Sequence, residues 1–277
     1  MIDALRSQAS IQQLCAVFNC PRSTYYYRPA QRNETALLAA IEQVLMRRPW
    51  FGYRRVVAQL QREGVQVGET VVGRLLKSLG HTCSVGPVRV QTTDSRYSST
   101  RYTNLIQGLK VKQPNQVWVA DITYIRFGTR FIYLAVILDA YSRAVRGWAL
   151  SRSLSQDLTL DALKMALSNG IPMIFHSDQG SQYSAWLHTD MLDAAGVRIS
   201  MSDKGRPMQN GIAERFMRTL KEEHVDYADY ADFPDAMRQI AHWIAVECNT
   251  QRIHSALHYA TPAEFEMAVQ TRPSLSI

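Results

Sequence analysis

Three carboxylates set the chemistry open to this chain. Asp121 stands in the middle of QVWVADITYI, Gln116 to Ile125, whose β-branched and aromatic content reads as a strand. An acid inside an apolar strand needs a partner, a metal or a cavity, because a lone buried carboxylate is costly. Asp178 lies in HSDQGSQY, His176 to Tyr183, just after the apolar run Ile171 to Phe175. A polar loop that closes a strand is where α/β proteins place catalytic groups. Glu214 belongs to PMQNGIAERFMRTLKEEH, Pro207 to His224, where the turn Gln209-Asn210-Gly211 precedes a helical pattern. Ile212, Phe216 and Leu220 form one apolar stripe, and Glu214, Arg218 and Lys221 gather on roughly the opposite face. In isolation that polar row would read as a solvated ladder of ion pairs. Beside the two upstream acids it reads differently: Asp121, Asp178 and Glu214 can be three ligands of one site. Between the last two lie 35 residues.

That spacing, with the motifs around it, resembles the DDE-type integrase core and its D-D-35-E signature. More closely, the chain resembles the OrfB half of insertion-sequence transposases whose gene is split into two overlapping frames. The likeness is carried by Trp118, Asp121, Thr123 and Tyr124, then by Leu138, Asp139, Ser142 and Arg143. It continues through His176-Ser177-Asp178, Gly180-Ser181-Gln182-Tyr183, Asn210-Gly211 and Glu214, and ends on Asn249, Arg252, His254 and Pro262. Five motifs in the right order cover nearly the whole chain. One departure is Gln179, where many relatives have Arg.

The resemblance implies an RNase H-like fold and an enzyme that cleaves and joins double-stranded DNA at transposon ends and target. Three converging acids would repel one another, and one would take a proton. Two Mg²⁺ ions about 3.5–4 Å apart, with Mn²⁺ as substitute, relieve this and bind both oxygens of an in-line phosphoryl displacement. Carried over from the family, Asp121 bridges the two ions, Asp178 holds one and Glu214 the other. The nucleophile is water in the first step and a DNA 3′-hydroxyl in the second. Arg218 and Lys221 are then placed to hold DNA phosphates, and His176, Gln182 and Asn210 to position a phosphate or water. Asp139, a rival acid at a strand end, is expected to make a local hydrogen bond to Arg143. Implied partners are DNA, further copies of the chain in a dimer or larger assembly, and the upstream-frame protein, fused or bound. Two alternatives stay open: an inactive DNA-binding regulator, and an RNase H-like nuclease acting on RNA in hybrids.

Composition bounds the rest. At 277 residues, 46% hydrophobic and 20% charged, the chain has room for a sizeable core and about two domains. The longest clean apolar run, Phe131 to Leu138, is far short of the roughly 20 residues of a membrane span. Met1 to Cys20 is too polar for a signal peptide, so the expected place is the bacterial cytoplasm, with the nucleoid and away from membrane. Cys15, Cys20, Cys83 and Cys248 form no CxxC pair, which argues for buried thiols and against a zinc module. Residues 1–110 hold 15 Lys+Arg against 6 Asp+Glu, whereas the remainder hold 16 against 18. The net charge of +7 therefore belongs to the front, which points to a polyanion-binding front half joined to a different body.

Periodicity assigns the elements. Ser10 can cap a helix over Ile11 to Phe18, with Leu14 and Val17 inward, and a second short helix starts at Ser23. Over 1–32 this is a helix-turn-helix segment with Arg22 and Tyr25 as DNA contacts, or else a hairpin in which Tyr25, Tyr26 and Tyr27 pack. Pro29 to Asn33 reads as a linker. Helices over Glu34 to Arg47, around Val56 to Leu60 and over Glu69 to Leu79 make 33–82 an all-α, winged-helix or helix-turn-helix module. Its Arg54, Arg55, Arg62, Arg74 and Lys77 suit phosphate contacts, or serve solubility. Residues 83–112 read as a linker. The body, 113–230, shows strands Val117 to Phe127, Phe131 to Leu138 and Ala144 to Leu150, then a helix Ser155 to Asn169 with Leu158, Ala162, Met165 and Ala166 inward. Strand Ile171 to Phe175, helix Ser184 to Ala195, strand Val197 to Met201 and the Glu214 helix follow. The order predicts an α/β, RNase H-like mixed five-stranded sheet with helices on both faces. Residues 231–277 form a C-terminal helical lobe.

Overall fold

Caps and turn residues decide where the front helices begin and end. In the computed structural model, which describes residues 2–27, 34–81 and 102–271, two compact units form, Met1–Gln43 and Val44–Ile277. In the first, Ser10 and Gln13 cap each other's backbone and start α1 (Ile11–Val17). A second helix, α2 (Arg22–Tyr26), follows Pro21. The buried face of α1 is centred between Leu14 and Cys15, which turns Val17 out to 78% exposure, against expectation. Tyr25 donates its hydroxyl to Asp3 Oδ1 at 2.5 Å and meets the Tyr26 ring edge-on, so this tyrosine serves local packing. Arg22 is exposed, 6.0 Å from the Tyr26 ring centroid. The expected linker at 29–33 lies outside the described residues.

From α3 (Thr35–Arg47) the chain enters α4 (Tyr53–Arg62) and α5 (Glu69–Ser78), which bury Val56, Leu60, Val72 and Leu75. Gly64, at φ +86°, ends the first of these in a backbone conformation that favours glycine. From residue 44 onward these helices share the unit of the sheet, and ion pairs tie them to it. Arg48 meets Glu247 at 3.2 Å, Arg55 meets Glu223 at 3.3 Å and Arg62 meets Glu264. Arg55 and Arg62 are thus engaged within the protein, which corrects their expected role on DNA. Arg54, only loosely paired with Glu69 at 3.9 Å, is exposed, as are Arg74 and Lys77. Of the expected 83–112 linker, only 102–112 falls among the described residues, and it is largely exposed but anchored at a few points. Leu105 N–H donates to Ser200 Oγ at 2.9 Å, and Ile106 and Val111 lie on the core.

The sheet comprises β1 (Val117–Phe127), β2 (Arg130–Asp139) and β3 (Val145–Ser151), joined by hairpin turns. The chain continues through α6 (Gln156–Ser168), β4 (Ile174–Ser177), α7 (Trp186–Ala194), β5 (Arg198–Met201) and α8 (Gly211–Glu223). Beyond these, α9 (Phe233–His242) runs into a π-helix, Trp243–Gln251, and α10 (Pro262–Gln270) closes the lobe. Strand order is β3-β2-β1-β4-β5, antiparallel among the first three strands and parallel from β1 through β4 to β5. That is the RNase H-like order. Alternation splits the core in two. Val117, Val119 and Val136 face α8 and the π-helix, while Trp118, Ala135 and Phe175 face α6 and α7. Among the described residues no helix is long and apolar enough to cross a membrane.

Two expectations shift. β4 starts three residues later than expected, because its pairing with β1 begins at Ile174 opposite Val117; Ile171 and Met173 stay outside, exposed. Met165 also faces outward, at 41% exposure, while Leu158, Ala162 and Ala166 are buried. Close approach of α6 to β3 is set by Gly147, where an added Cβ would stand 2.3 Å from the Ala162 carbonyl and 2.5 Å from the Ala166 nitrogen. Both are backbone atoms that cannot rotate away. Gly147→Ala is expected to destabilise the protein by about 3 kcal/mol, read as a fall in the urea midpoint; an unchanged midpoint would show that α6 lifts without cost.

Candidate active site

Pairing of β1 with β4 brings the first two acids together. Val117, Trp118 and Val119 lie opposite Ile174, Phe175 and His176, and the same register carried two residues further sets Asp121 opposite Asp178. Asp121 follows Val117 and Val119 on the face that α8 covers. Its Oδ1 accepts the Ile122 N–H at 2.8 Å, and Asp178 Oδ1 accepts the Gly180 N–H at 3.0 Å. Glu214 sits in the first turn of α8, which buries Ala213, Phe216, Met217 and Leu220 against the sheet. The start of this helix is pinned to β1, where Asn210 Nδ2 donates to the Ala120 carbonyl at 2.9 Å, one residue before Asp121.

Charge shows that the three acids feel one another. Burial, then repulsion by Asp178 and by Glu214, pushes Asp121 up to about 7. Burial raises Asp178 above the usual carboxylate range. Glu214 is raised by burial and by Asp178, against the pull of Arg218. Among the described residues no three His, Cys, Asp or Glu side chains stand close enough to hold one ion. Asp121 and Asp178 are half-buried, whereas Glu214 is exposed. Sequence reasoning gave no role to Tyr183, the last residue of the Asp178 motif. Among the described residues its buried hydroxyl has no hydrogen-bond partner, and burial, then the charges of Asp121 and Asp178, hold it well above 10.

The other expected residues divide. Arg218 is exposed beside Glu214, and half-buried Lys221 lies within the field of Asp121. Gln182 is half-buried and accepts the Ser181 hydroxyl at 3.3 Å. His176 is corrected. It is 0% exposed, with Nδ1 2.8 Å from Ser200 Oγ and Nε2 3.0 Å from Ser202 Oγ, so it ties β4 to β5 and cannot reach a phosphate. Asn210 is likewise buried and serves as the strut described above. The Asp139 carboxylate takes Arg146 at 3.3 Å, and the Asn115, Tyr141 and Ser142 N–H groups, in place of the expected Arg143 side chain.

Burial holds the His176 imidazole down to about 4. Below pH 6.5 the unfolded chain binds a proton there that the folded chain refuses. Its contribution is therefore a loss of roughly 3 kcal/mol as pH falls from 6.5 to 4, and nothing above that window. NMR of the imidazole carbons should find this ring neutral until about pH 4; titration near 6.5 would contradict its burial.

Residues 111–207 and 195–262 each match a family described as Integrase core domain, and residues 31–86 match an HTH-like domain. A 31 kDa protein of insertion element IS600 from Shigella sonnei is 34% identical, over 91% of this chain and 97% of its own length. The transposase for insertion sequence element IS904 from Lactococcus lactis is 33% identical, over 78% and 87%. The transposase for IS629 from Shigella sonnei is 30% identical, over 97% and 95%. Among solved structures, the HTLV-2 integrase catalytic core in complex with magnesium reaches a TM-score of 0.43 at 18% identity, over 55% of this chain and 97% of that one, which adds nothing to the sheet order itself. A third of the residues shared across almost the full length of both chains is kinship, and this chain belongs to the insertion-sequence transposases built on an integrase core domain, enzymes of the polynucleotidyl transferase class.

Proposed function

We propose that this chain cuts DNA at the ends of an insertion sequence and joins the freed 3′ ends to target DNA, using Asp121, Asp178 and Glu214. The observation that carries the reading is geometric: the β1–β4 register sets Asp121 opposite Asp178, and the helix bearing Glu214 starts from Asn210, which is pinned to the Ala120 carbonyl beside Asp121. A purely structural carboxylate is paired with a cation; the partner of Asp139 is Arg146. Asp121 instead makes no ion pair among the described residues: it feels two acids, opposed by the weaker pull of Lys221, and lies near the unpartnered Tyr183 phenol. An all-carboxylate donor set fits a hard divalent cation, Mg²⁺ with Mn²⁺ as substitute. Asp121 would be shared between two ions, with Asp178 on one and Glu214 on the other. Closing the triplet falls to Glu214, the exposed member. When bound, such ions polarise the scissile phosphate and the attacking oxygen.

The chain's own groups supply the rest. Arg218 and Lys221, one and two turns along α8 from Glu214, hold phosphate oxygens next to the acids. Exposed Arg54, Arg74, Lys77 and Arg22 contact the duplex backbone, which sets register without reading sequence. Two DNA ends must meet, so at least two copies act together, and a protein of the upstream frame joins them, fused or bound. The setting is the bacterial cytoplasm, at the nucleoid.

A supercoiled plasmid carrying the element's ends tests the reading. With Mg²⁺ or Mn²⁺ the protein should give nicked donor and strand-transfer products, and with chelator neither. A protein that binds DNA but never cuts it would be a regulator, and one that cuts only RNA in hybrids would be a nuclease.

A further inference from the structure

Behind the catalytic helix lies a cavity of about 320 Å³ that the acid site does not use. Ile212, Arg215 and Thr219, on the other flank of α8 from Glu214, form one wall. Arg55, Arg143, Arg252 and His254 line it as well, against an apolar floor of Leu138, Phe216, Cys248 and Ala256. Four guanidinia around one small cavity is a large concentration of like charge. Glu223 answers two of them, pairing with Arg252 at 2.7 Å and Arg55 at 3.3 Å. Arg143 and Arg215 have no such answer: among the described residues neither side chain makes a hydrogen bond or ion pair.

Arg143 is the more telling. Its guanidinium is half-buried, which lowers its affinity for a proton despite the nearby Asp139. The residue is also held at φ +65°, a conformation that side-chain-bearing residues rarely adopt. Burial, followed by the guanidinia of Arg252, Arg55 and Arg143, presses the His254 imidazole down to about 3, so the ring reports the positive field of the cavity. The first residue of α8, Gly211, lines the same space, and the amino end of this 13-residue helix adds to the field. An oxyanion with several acceptor oxygens fits such a place, and among the described residues no Asp or Glu lines it.

We propose that this cavity is a second, non-catalytic site for a phosphate group, held between the Arg143 and Arg215 guanidinia. The phosphate can belong to a DNA backbone, in which case the proposal rests on the function proposed above, or be a free anion, in which case it does not. Both have the chemistry that a pair of planar guanidinium forks recognises.

The test uses the full chain in chelator, so that no bond is cut. Binding of inorganic phosphate is followed by calorimetry, and binding of a DNA duplex by fluorescence anisotropy at several salt concentrations. Arg215→Gln and Arg143→Gln are expected to weaken binding about tenfold, and for DNA to lower the slope of log affinity on log salt by about one. Lys164→Gln, an exposed lysine on α6, is the charge-matched control and should change binding by less than about twofold. Loss on duplex alone assigns the phosphate to DNA, and loss on inorganic phosphate assigns it to a free anion. Should Arg143→Gln lower the melting temperature, exposed Arg215 decides alone. Unchanged binding of both probes by Arg215→Gln, or no binding of either by the wild type, overturns the proposal. Failure of the wild type to cleave DNA would sink the acid-site reading and leave every one of these measurements standing.

Discussion

Asp178→Asn is expected to lower metal-dependent strand cleavage by at least about a thousandfold while duplex binding stays within about twofold of wild type. The amide keeps the shape of the acid, and its oxygen can still accept the Gly180 N–H, so the loop after β4 should hold its place. What disappears is one negative charge and one oxygen ligand for a cation. Asp121→Asn should behave alike, since its carboxyl oxygen has only the neighbouring Ile122 N–H to satisfy. Glu214→Gln is the safest of the three for the fold, because the side chain is exposed and its helix is anchored through other residues. Any one variant that cuts a supercoiled donor at the wild-type rate removes that residue from the chemistry. A variant that loses DNA binding along with cleavage points to a damaged fold, which circular dichroism would report.

Arg252→Ala should cost about 3–5 kcal/mol of stability, the largest single loss expected away from the sheet core. Arg252 Nε and Nη2 each stand 2.7 Å from an oxygen of Glu223, both side chains are buried, and the pair joins the end of α8 to the end of the π-helix. Removing the guanidinium leaves Glu223 buried, with Arg55 at 3.3 Å as its remaining neighbour. Glu223→Ala should be similar, because it leaves Arg252 and Arg55 facing each other with no carboxylate between them. Replacing both by apolar residues of similar volume should recover much of the loss, since a buried pair is costly to break but not always to replace. Urea unfolding of the two single variants and the double variant measures the coupling. Additive effects would mean that the two side chains act independently despite their contact.

Much of this arrangement can be read from residue order alone, for particular reasons. Asp121 shows itself because an acid interrupts an otherwise apolar strand, and Asp178 because it opens a polar loop at a strand's end. Short joints between β1, β2 and β3 force antiparallel pairing, which fixes half of the sheet. Where the reading strayed, a tertiary contact outweighed a local signal. His176 is polar and stands beside a functional acid, yet the hydroxyls of Ser200 and Ser202, two dozen residues away, make it part of the core. Arg55 and Arg62 sit on the polar stripe of α4 like any solvent-facing cation, but Glu223 and Glu264 lie far along the chain and pairing at that distance leaves no periodic trace. The π-helix is equally silent in sequence, and only its result is visible: Asn249 brackets the Val145 backbone, accepting its N–H at 3.0 Å and donating to its carbonyl at 3.4 Å.

Because Asp121 and Asp178 meet through the parallel pairing of β1 with β4, the excursion of chain between them does not set their separation. The exposed Gly128–Thr129 turn can therefore lengthen, or carry an inserted domain, without pulling the acids apart. One extra residue between Val119 and Asp121 is another matter, since it would rotate the acid onto the opposite face, among Trp118 and Phe175. Evolution has wide latitude over what hangs from this strand pair and almost none over its phase.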